Sequence, residues 1–500
     1  MSKYLPVRPY QPVDEYSPMI WENKKQHRIN HQVQWLDDMN AMLDALDLFD
    51  GMTISFHHHL RNGDAVMNMV MEAIAQRGYK DLTVVASSIF PVHQPLVAML
   101  RDKTVTQIIA SYMSGPVARA VSEGECEAAC VLQTHGGRAR SILMEDICID
   151  VAFIASCAVN HRGDISGQHG KNACGALGYV MADALMAKNV VAISDSRVEF
   201  DAPSIEYTCV DMVLMVDSIG SSSGIVSGTT QLTKDPAGLK IAHLTVDLLD
   251  ALGLVKNGLT YQSGAGGISL AVTTFLKEKM KQKQVVGEFA SGGITRALVE
   301  MLEEGLFNHL YDVQCFDLDA VESLKKNVNH HEISASMYAN PNQLDNKVNQ
   351  LDVVILGASE IDRDMNVNVT TGFDYQILGG SGGHADTSYG ATWSIIVSKL
   401  VSSRIPVLVD RVTTITTPKD DIDIFVCDVG IAFAKRHQAL AATLKQTTRL
   451  PIVTMEELAE ISEKLCGKSL TIEHESRVVA VSEYRDGSLL DVIYQKKKGD

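Results

Sequence analysis

A weak internal repeat constrains the fold of this sequence more than any other feature. Six segments of the first half resemble six segments of the second half, in the same order and at an offset of a little over 200 residues. The pairs are 50–55 with 257–262, 65–75 with 271–280, 82–88 with 285–291, 97–100 with 299–302, 149–156 with 351–358, and 190–195 with 405–410. One such pair could arise by chance because buried strands share a composition, but six in order indicate two similar domains.

Within each half, short apolar runs alternate with stretches of helical period. Met52–Phe56 and Leu82–Ala86 are predicted to be strands, and the amphipathic stretch Ala65–Ala75 between them is predicted to be a helix. This alternation is typical of α/β domains. We therefore predict an α/β fold made of two tandem, similar, open α/β domains with mostly parallel sheets.

The domain limits follow from the repeat and from the polar segment between its two copies. Residues 31–245 are predicted to form the first domain and residues 246–500 the second. Residues 1–30 have no clear period and are predicted to be an extended N-terminal arm. The second domain is predicted to end in a helix over 455–465 and a hairpin over 477–493.

Composition argues against several classes of protein. The net charge of −17 is a poor basis for binding nucleic acid. No apolar run is long enough for a membrane span, and the N-terminus lacks the apolar core of a signal peptide. The nine cysteines include no Cys-x-x-Cys pair, which favours reduced thiols over disulfides or a zinc site. We expect a cytoplasmic protein that binds neither nucleic acid nor membrane.

Two glycine-rich segments are the strongest candidates for ligand binding. Residues 378–391 read LGGSGGHADTSYGA, and residues 264–267 read GAGG. Glycine lets a ligand approach the backbone, and exposed amides before a helix suit an anion. An ordinary turn is the simpler alternative, but the glycines are denser than a turn requires.

The sequence also resembles a known family. The resemblance rests on blocks spread over nearly the whole chain: TISFHHHLRNG at 53–63, GAGG at 264–267, FASGGIT at 289–295, EISA at 332–335, GGSGGHAD at 379–386, RIPVLVD at 404–410 and SEYRDGSLLDVI at 482–493. These blocks resemble the CoA-transferase superfamily and, within it, the family of citrate lyase α subunits. The resemblance implies two domains of CoA-transferase type.

The resemblance implies that an acetyl group, held as a thioester on the phosphopantetheine-type arm of a carrier protein, is exchanged for citrate. Acetyl-CoA is the implied surrogate donor, and no covalently bound cofactor and no metal are expected in this chain. The implied partners are a β subunit that cleaves the citryl thioester, a γ subunit that is the carrier protein, and the small molecules citrate and acetate. An oligomer is also expected.

The implied exchange needs donors for an oxyanion more than it needs a base. A carboxylate is already a nucleophile at pH 7, and attack on a thioester passes through a tetrahedral oxyanion. We expect the substrates to bind in the cleft between the halves, beyond the carboxyl ends of the strands. The predicted substrate-binding residues are His57, His58, Arg61, Gly264, Gly266, Gly267, Ser291, Gly292, Gly380, Gly382, Gly383 and His384.

Glu288 is the predicted catalytic residue. It is read as following a strand at 285–287, the place of the covalent glutamate in part of the superfamily. The citrate lyase branch resembles enzymes that work through a mixed anhydride, so catalysis and a solvated carboxylate at a strand end stay equally open for Glu288. Glu332 and Glu360 are weaker alternatives.

Charged side chains near the glycine segments are candidates for binding the carboxylates of citrate. Arg61 could clamp a carboxylate through two hydrogen bonds. Arg138 and Arg296 are individually better explained as surface arginines. The run 57–59 of three histidines is a poor metal site because neighbouring residues of a strand point to opposite faces. His384 is expected either to be oriented by Asp386 or to cap the next helix.

Two other functions stay open at this stage. One is a different CoA-transferase or an acyl-CoA hydrolase that uses Glu288 as a covalent nucleophile. The other is a scaffold subunit without enzymatic activity that holds a carrier and a lyase together. The duplicated glycine segments argue against a scaffold, which needs no backbone site for anions.

Overall fold

The computed structural model describes residues 31–226, 232–467 and 473–497. The predicted arm over 1–30 lies outside the described residues. In the first half the strands are β1 (Gln34–Leu36), β2 (Thr53–Phe56), β3 (Leu82–Ala86), β4 (Val105–Ala110), β5 (Cys130–Leu132), β6 (Val151–Ser156), β7 (Ala158–Val159), β8 (Ile165–Ser166), β9 (Asn189–Ser194) and β10 (Met212–Met215). The helices are α1 (Met39–Ala45), α2 (Val66–Gln76), α3 (Leu96–Arg101), α4 (Gly115–Ser122), α5 (His135–Leu143) and α6 (Met181–Met186).

The second half repeats the alternation of strands and helices. Its strands are β11 (Thr260–Ser263), β12 (Gly287–Ile294), β13 (Phe307–Cys315), β14 (His330–Glu332), β15 (Val353–Leu356), β16 (Glu360–Asp362), β17 (Val367–Asn368), β18 (Trp393–Val397), β19 (Val401–Ser402), β20 (Ile405–Pro406), β21 (Leu408–Val409), β22 (Ile424–Val426) and β23 (Ile431–Phe433). Its helices are α7 (Pro236–Ala251), α8 (Gly267–Lys283), α9 (Arg296–Glu303), α10 (Leu318–Lys326), α11 (Ala335–Ala339), α12 (His384–Gly390), α13 (Gln438–Thr447) and α14 (Met455–Cys466). The hairpin strands β24 (His474–Glu483) and β25 (Leu489–Lys496) follow.

Two large sheets organise the halves. The first has the order β1-β10-β9-β6-β2-β3-β4-β5-β24-β25, and the second has the order β14-β13-β12-β11-β15-β18-β22-β23. Their central parts, β9-β6-β2-β3-β4-β5 and β18-β15-β11-β12-β13-β14, match strand for strand and are parallel throughout. The prediction of two tandem, similar α/β units with mostly parallel sheets is confirmed.

One of the six proposed repeat pairs is wrong. The strand next to β15 is β18, so β18 is the counterpart of β9. The segment 405–410 instead contributes β20 and β21 to small separate sheets. The error arose because a short buried apolar run carries no information about which neighbour it pairs with.

The limits of the halves also differ from the prediction. A boundary at 245/246 would cut helix α7, which packs against α8 and whose Lys240 Nζ donates a hydrogen bond to the Asp428 carbonyl. Helix α7 therefore belongs with the second half. The predicted hairpin is present as β24 and β25, but β24 pairs in parallel with β5 and extends the first sheet, so its assignment to the second half is wrong.

The hydrophobic core is one large cluster with residues from both halves and two smaller clusters in the described chain. Strand β6, for example, is buried at every position, as expected for a parallel strand covered by helices on both sides. Within the described ranges, no helix combines the length and the apolar character that a membrane span requires.

Candidate active site

A cavity of about 350 Å³ lies between the two halves. Most of its wall residues lie at or just beyond the carboxyl ends of parallel strands from both sheets, the usual position of ligand sites in open α/β sheets. The first half contributes His58, Arg61, Ser88, Phe90, Tyr112, His135 and Tyr179. The second half contributes Gln262, Ser263, Gly264, Ala265, Gly266, Gly293, Gln314, Phe316, Tyr338, Leu356, Gly357, Val369, Gly380, Ser381, Gly382, Gly383 and His384. Both glycine-rich segments therefore meet in one pocket.

Three helices begin at this cavity. Helix α8 has Gly266 as its N-cap, α12 has Gly383, and α5 has Thr134, which precedes the lining residue His135. Within the described residues, the backbone amides of Gly266, Gly380 and Gly383 donate to no protein acceptor. Helix N-termini with free amides carry a partial positive charge, so the walls of the cavity favour an anion.

The loop 379–383 is bound to the opposite half through its backbone. The Gly382 amide donates to the Ser111 carbonyl at 3.1 Å, and the His135 amide donates to the Gly382 carbonyl at 2.8 Å. Gly382 has φ +52°, and a Cβ there would lie 3.3 Å from His135 Nε2. A Cβ on Gly383 would come within 2.5 Å of Tyr338 Oη. Positive φ favours glycine at 382, and the close approach of Tyr338 favours it at 383.

Arg61 is the cation of the cavity. It is only 8% exposed, and its guanidinium lies 4.8 Å from the Phe316 ring centroid and 5.5 Å from that of Phe90. Its Nη1 donates to the Ile225 carbonyl at 3.3 Å, but no carboxylate of the described residues pairs with it. Burial lowers the pKa of Arg61. Burying a guanidinium without a counter-ion destabilises the folded protein when no ligand is bound. Such a group is suited to bind an anionic ligand.

Two uncharged histidines face the same space. Burial lowers the pKa of His135 to about 3. Burial also lowers the pKa of His58 well below its usual range, and the neighbouring His135 lowers it further. The Tyr179 ring centroid lies 4.8 Å from that of His58 and 4.2 Å from that of His135. His58 Nδ1 is paired with Ser87 Oγ, whereas His135 Nδ1 is buried without a partner. These imidazoles can donate or accept hydrogen bonds, but at pH 7 they are weak bases.

Four predicted binding residues lie next to the cavity rather than on its wall. His57 Nε2 accepts a hydrogen bond from the Ala155 amide at 2.9 Å, so it holds β2 to β6. Gly267 is the first residue of α8, and Ser291 is buried within β12. Gly292, with φ +102°, leaves room for the Gln262 amide, which would lie 2.7 Å from a Cβ there.

Glu288 is not in the cavity. It is exposed and accepts a hydrogen bond from Asn308 Nδ2 at 2.9 Å. The expected position after a strand is wrong because β12 begins at Gly287, which puts Glu288 at the amino end of the strand and the cavity at its carboxyl end. The described residues that line the cavity include no aspartate or glutamate.

The two alternative glutamates have structural partners. Glu332 links the two halves, because it accepts hydrogen bonds from the Leu177 amide at 2.6 Å and from Ser204 Oγ at 2.9 Å. Glu360 accepts from the Thr413 amide and from Asn368 Nδ2, each at 2.8 Å. Neither lines the cavity.

The other predicted charged residues also have partners within the protein. Arg138 is buried and forms a two-pronged ion pair with Asp183 at 2.7 and 2.8 Å, so its description as a surface arginine is wrong. Arg296 is exposed and pairs with Glu300 at 2.9 Å. The described part of the chain contains no group of three or more histidine, cysteine, aspartate or glutamate side chains that could hold a metal ion.

His384 begins α12 but is not oriented by Asp386. Its Nε2 donates to the Gly357 carbonyl at 3.0 Å, so the neutral ring accepts from Thr417 Oγ1 at Nδ1, at 2.7 Å. Burial lowers the pKa of His384 to about 4, which keeps the ring neutral.

Asp386 faces the first half instead. It accepts from the Gly136 amide at 2.8 Å and from Thr134 Oγ1 at 3.0 Å, and Arg485 Nε lies 3.5 Å away. Burial raises the pKa of Asp386 to about 6 in spite of these partners. Asp386, on α12, therefore joins that helix to the N-terminus of α5 and to the C-terminal hairpin.

Sequence reasoning missed several polar residues of the cavity. Gln262 Nε2 donates to Tyr338 Oη at 2.8 Å, and Gln262 Oε1 is buried without a partner. Gln314 Nε2 donates to the His58 carbonyl at 3.2 Å across the two halves. Gln262 and Gln314 stand at the carboxyl ends of β11 and β13, a position that could have identified them. Tyr338 and Tyr179 follow no strand end and gave no such signal.

Two tandem units with open, mostly parallel sheets and a pocket between their strand ends have an α/β fold of the CoA-transferase type. The alpha subunit of a malonate decarboxylase from Acinetobacter baumannii has this fold, with a TM-score of 0.65 at 13% identity over 89% of this chain and 95% of that chain. Residues 33–496 match the model of the family described as citrate lyase, alpha subunit, and the chain belongs to that family.

Close relatives support this membership. The citrate lyase alpha chain of Escherichia coli strain K12 is 44% identical over 453 residues, which cover 90% of this chain and 89% of that protein. A Streptococcus mutans protein described as an alpha subunit of citrate lyase has been solved in complex with citrate. It matches with a TM-score of 0.90 at 42% identity and 94% coverage of both chains.

Proposed function

We propose that this protein is the citrate:acyl-carrier-protein transferase of a citrate lyase, which exchanges acetyl for citrate on a carrier thioester. The observation that carries the proposal is the cavity between the halves. Its wall combines the unpaired Arg61 with free backbone amides and includes no carboxylate among the described residues. Such a wall is suited to a substrate that brings its own carboxylates.

The first step forms a mixed anhydride. One citrate carboxylate oxygen attacks the acetyl carbonyl carbon, and the resulting tetrahedral oxyanion collapses with loss of the thiolate. Arg61 holds a second citrate carboxylate, while the amides of Gly266 and Gly383 are the available donors for the oxyanion. Removing a single oxyanion donor typically costs about 3 kcal/mol of transition-state stabilisation.

The second step returns the thiolate to the citryl carbonyl carbon of the anhydride. The bond between that carbon and the bridging oxygen breaks, and acetate leaves with the bridging oxygen. No proton is gained or lost over the two steps, so no strong base is required. The low pKa values of His58 and His135 suit this chemistry, because weakly basic imidazoles do not activate water efficiently against the anhydride.

The same observations weigh against the two alternatives. A transferase or hydrolase with a covalent glutamate needs a carboxylate at the thioester, yet Glu288 lies at the far end of β12 from the cavity. A scaffold without activity needs no buried, unpaired cation, and burying one costs stability.

Membership of a family of alpha subunits implies further subunits. We propose that these are a β subunit that cleaves the citryl thioester and a γ subunit that is the acyl carrier protein, in a cytoplasmic oligomer. The donor is then a thioester on the phosphopantetheine-type arm of the carrier, with acetyl-CoA as its surrogate. No covalently bound cofactor is required of this chain.

An oxygen-transfer experiment tests the proposal. Excess protein is mixed with acetyl-CoA and with citrate labelled with ¹⁸O in its carboxylates, in unlabelled water, for a single turnover. The mixed-anhydride route puts one citrate oxygen into acetate and yields citryl-CoA. A covalent glutamate would deliver an unlabelled protein oxygen, and hydrolysis would deliver a water oxygen; unlabelled acetate in the first turnover therefore contradicts the proposed mechanism.

A further inference from the structure

A second and larger cavity, of about 740 Å³, lies between strands β20 and β21 and the C-terminal hairpin β24–β25. It shares no lining residue with the cavity between the halves. Its walls carry the arginines Arg404 and Arg411 and the aromatic residues Phe373, Tyr375 and Tyr494. We propose that this cavity binds a nucleoside phosphate, with the phosphates on the arginines and the base against the aromatic side chains.

The acidic side chains of this cavity have protein partners, whereas its two arginines have none among the described residues. Three carboxylates line it, and each is already engaged: Glu360 and Asp491 accept backbone amide hydrogen bonds, and Asp410 pairs with an arginine outside the cavity at 2.7 Å. Arg404 and Arg411, by contrast, form no ion pair or hydrogen bond with any described residue. Arg404 and Arg411 are therefore the charged groups of this cavity whose hydrogen-bonding capacity is free, and guanidinium groups match phosphate oxygens in two-pronged geometry.

The backbone at Arg404 supports a role for its side chain. Ser403 and Arg404 form the two-residue turn between β19 and β20, with φ of +51° and +67°. A turn with both central residues at positive φ strongly favours sequences such as Asn-Gly. An arginine in this conformation is strained, and strain of this kind concentrates at ligand sites. The chain thus keeps an arginine where glycine would serve the turn better.

The aromatic side chains favour a nucleotide over a bare phosphate ion. The Phe373 ring is 38% exposed and makes no ring contact with another aromatic residue of the described chain. Tyr375, His474 and Tyr494 form a continuous aromatic wall, with ring centroids 4.7 Å and 4.2 Å apart in succession. Stacking on such surfaces binds any base through its π face.

The nucleoside phosphate has two possible sources. One is a free nucleotide. The other, which rests on the proposed function, is the nucleotide end of a coenzyme A-type donor whose thioester reaches the first cavity. The two share the chemistry of the site, and competition between ADP and acetyl-CoA separates them.

The test is ADP binding by calorimetry to the full chain and to three variants. Arg404→Gly relieves the strained turn and should leave the melting temperature unchanged or raised while weakening ADP at least tenfold; Arg411→Gln should weaken ADP similarly. Arg296→Gln, which removes an exposed arginine elsewhere, should bind ADP like the parent protein. Absence of ADP binding, equal binding by all variants, or inorganic phosphate binding as tightly as ADP would each overturn the proposal.

Acetyl-CoA kinetics with added ADP then identify the source. If ADP raises the KM for acetyl-CoA in the parent protein but not in Arg404→Gly, the cavity binds the nucleotide end of the donor. ADP that binds without altering acetyl-CoA kinetics supports a site for a free nucleotide. Because binding is measured without citrate, a failure of the transferase function would leave this test intact.

Discussion

Replacing Arg61 by methionine should weaken citrate binding without destabilising the protein. Methionine keeps an unbranched apolar side chain between Phe90 and Phe316 but removes the charge. A charge-assisted hydrogen bond contributes about 1.5–3 kcal/mol, so the KM for citrate should rise about 10- to 150-fold. The KM for acetyl-CoA should change much less, because the thioester carries no carboxylate for Arg61 to bind.

The Arg61→Met variant should bind citrate more weakly but should be at least as stable as the parent protein. Arg61 has no counter-ion in the described protein, so its removal leaves no buried charge behind. The melting temperature without citrate should stay the same or rise. Citrate at about 100 times its Kd stabilises the parent by about 2.7 kcal/mol, whereas a variant that binds about 30-fold more weakly gains only about 0.9 kcal/mol at the same concentration.

Arg138→Met is the matched control. Arg138 is as deeply buried as Arg61 but pairs with Asp183, which would be left uncompensated. That variant should lose about 3–5 kcal/mol of stability. Citrate transfer kinetics and thermal unfolding with and without citrate separate the two cases. An Arg61→Met protein that is destabilised like Arg138→Met, with an unchanged KM for citrate, would refute the assignment of Arg61 to the substrate.

Three further outcomes are expected. Gly382→Val should lower citryl transfer more than tenfold with a smaller loss of stability, since strain at φ +52° costs about 1–3 kcal/mol and the side chain meets His135; wild-type turnover of the folded variant would remove this loop from the reaction. Glu288→Gln should change the transfer rate by no more than about twofold, as for other exposed positions, and a loss of 100-fold would restore it as a catalytic residue. Asp386→Asn should remove about 3 kcal/mol of pH dependence from the unfolding free energy, measured in urea from pH 4 to 7.

The sign of the Asp386 effect follows from its raised pKa. Between its ordinary value of 3.8 and about 6, the folded protein binds more protons at this site than the unfolded chain does. Stability of the parent therefore falls as the pH rises through that window and is level above it. An asparagine cannot titrate, so a variant with the same pH profile as the parent would show that Asp386 is not the group responsible.

The sequence was most informative where structure is determined locally. Alternating buried strands and amphipathic helices predicted the α/β class, and the two glycine segments were found from their density of glycine. Glu288 was misplaced because the limits of its strand were predicted incorrectly. The strand was expected to end at Gly287 but begins there, and this displacement moved the side chain from the carboxyl edge of the sheet to its amino edge.

Pairing between distant segments could not be predicted. Nothing in 473–497 signals that β24 adds to β5, because the hydrogen bonds involved are backbone groups present in every strand. Tyr338 was missed for a related reason: it follows no strand end and enters the cavity only after the two halves pack together. Polar residues at strand ends were findable, whereas residues contributed by packing were not.

The hairpin shows why the site depends on these distant contacts. Arg485, at its tip, is buried beside Asp386 and donates to the Ala339 carbonyl at 3.2 Å, while Tyr484 Oη donates to Asp421 Oδ2 at 2.5 Å. The strands of the hairpin belong to the first sheet, but these contacts are all made with the second half. The C-terminal segment therefore fixes helix α12 relative to α5. Because the free amides of Gly380 and Gly383 lie at or just before the start of α12, the hairpin helps to position these proposed oxyanion donors although none of its residues lines the cavity.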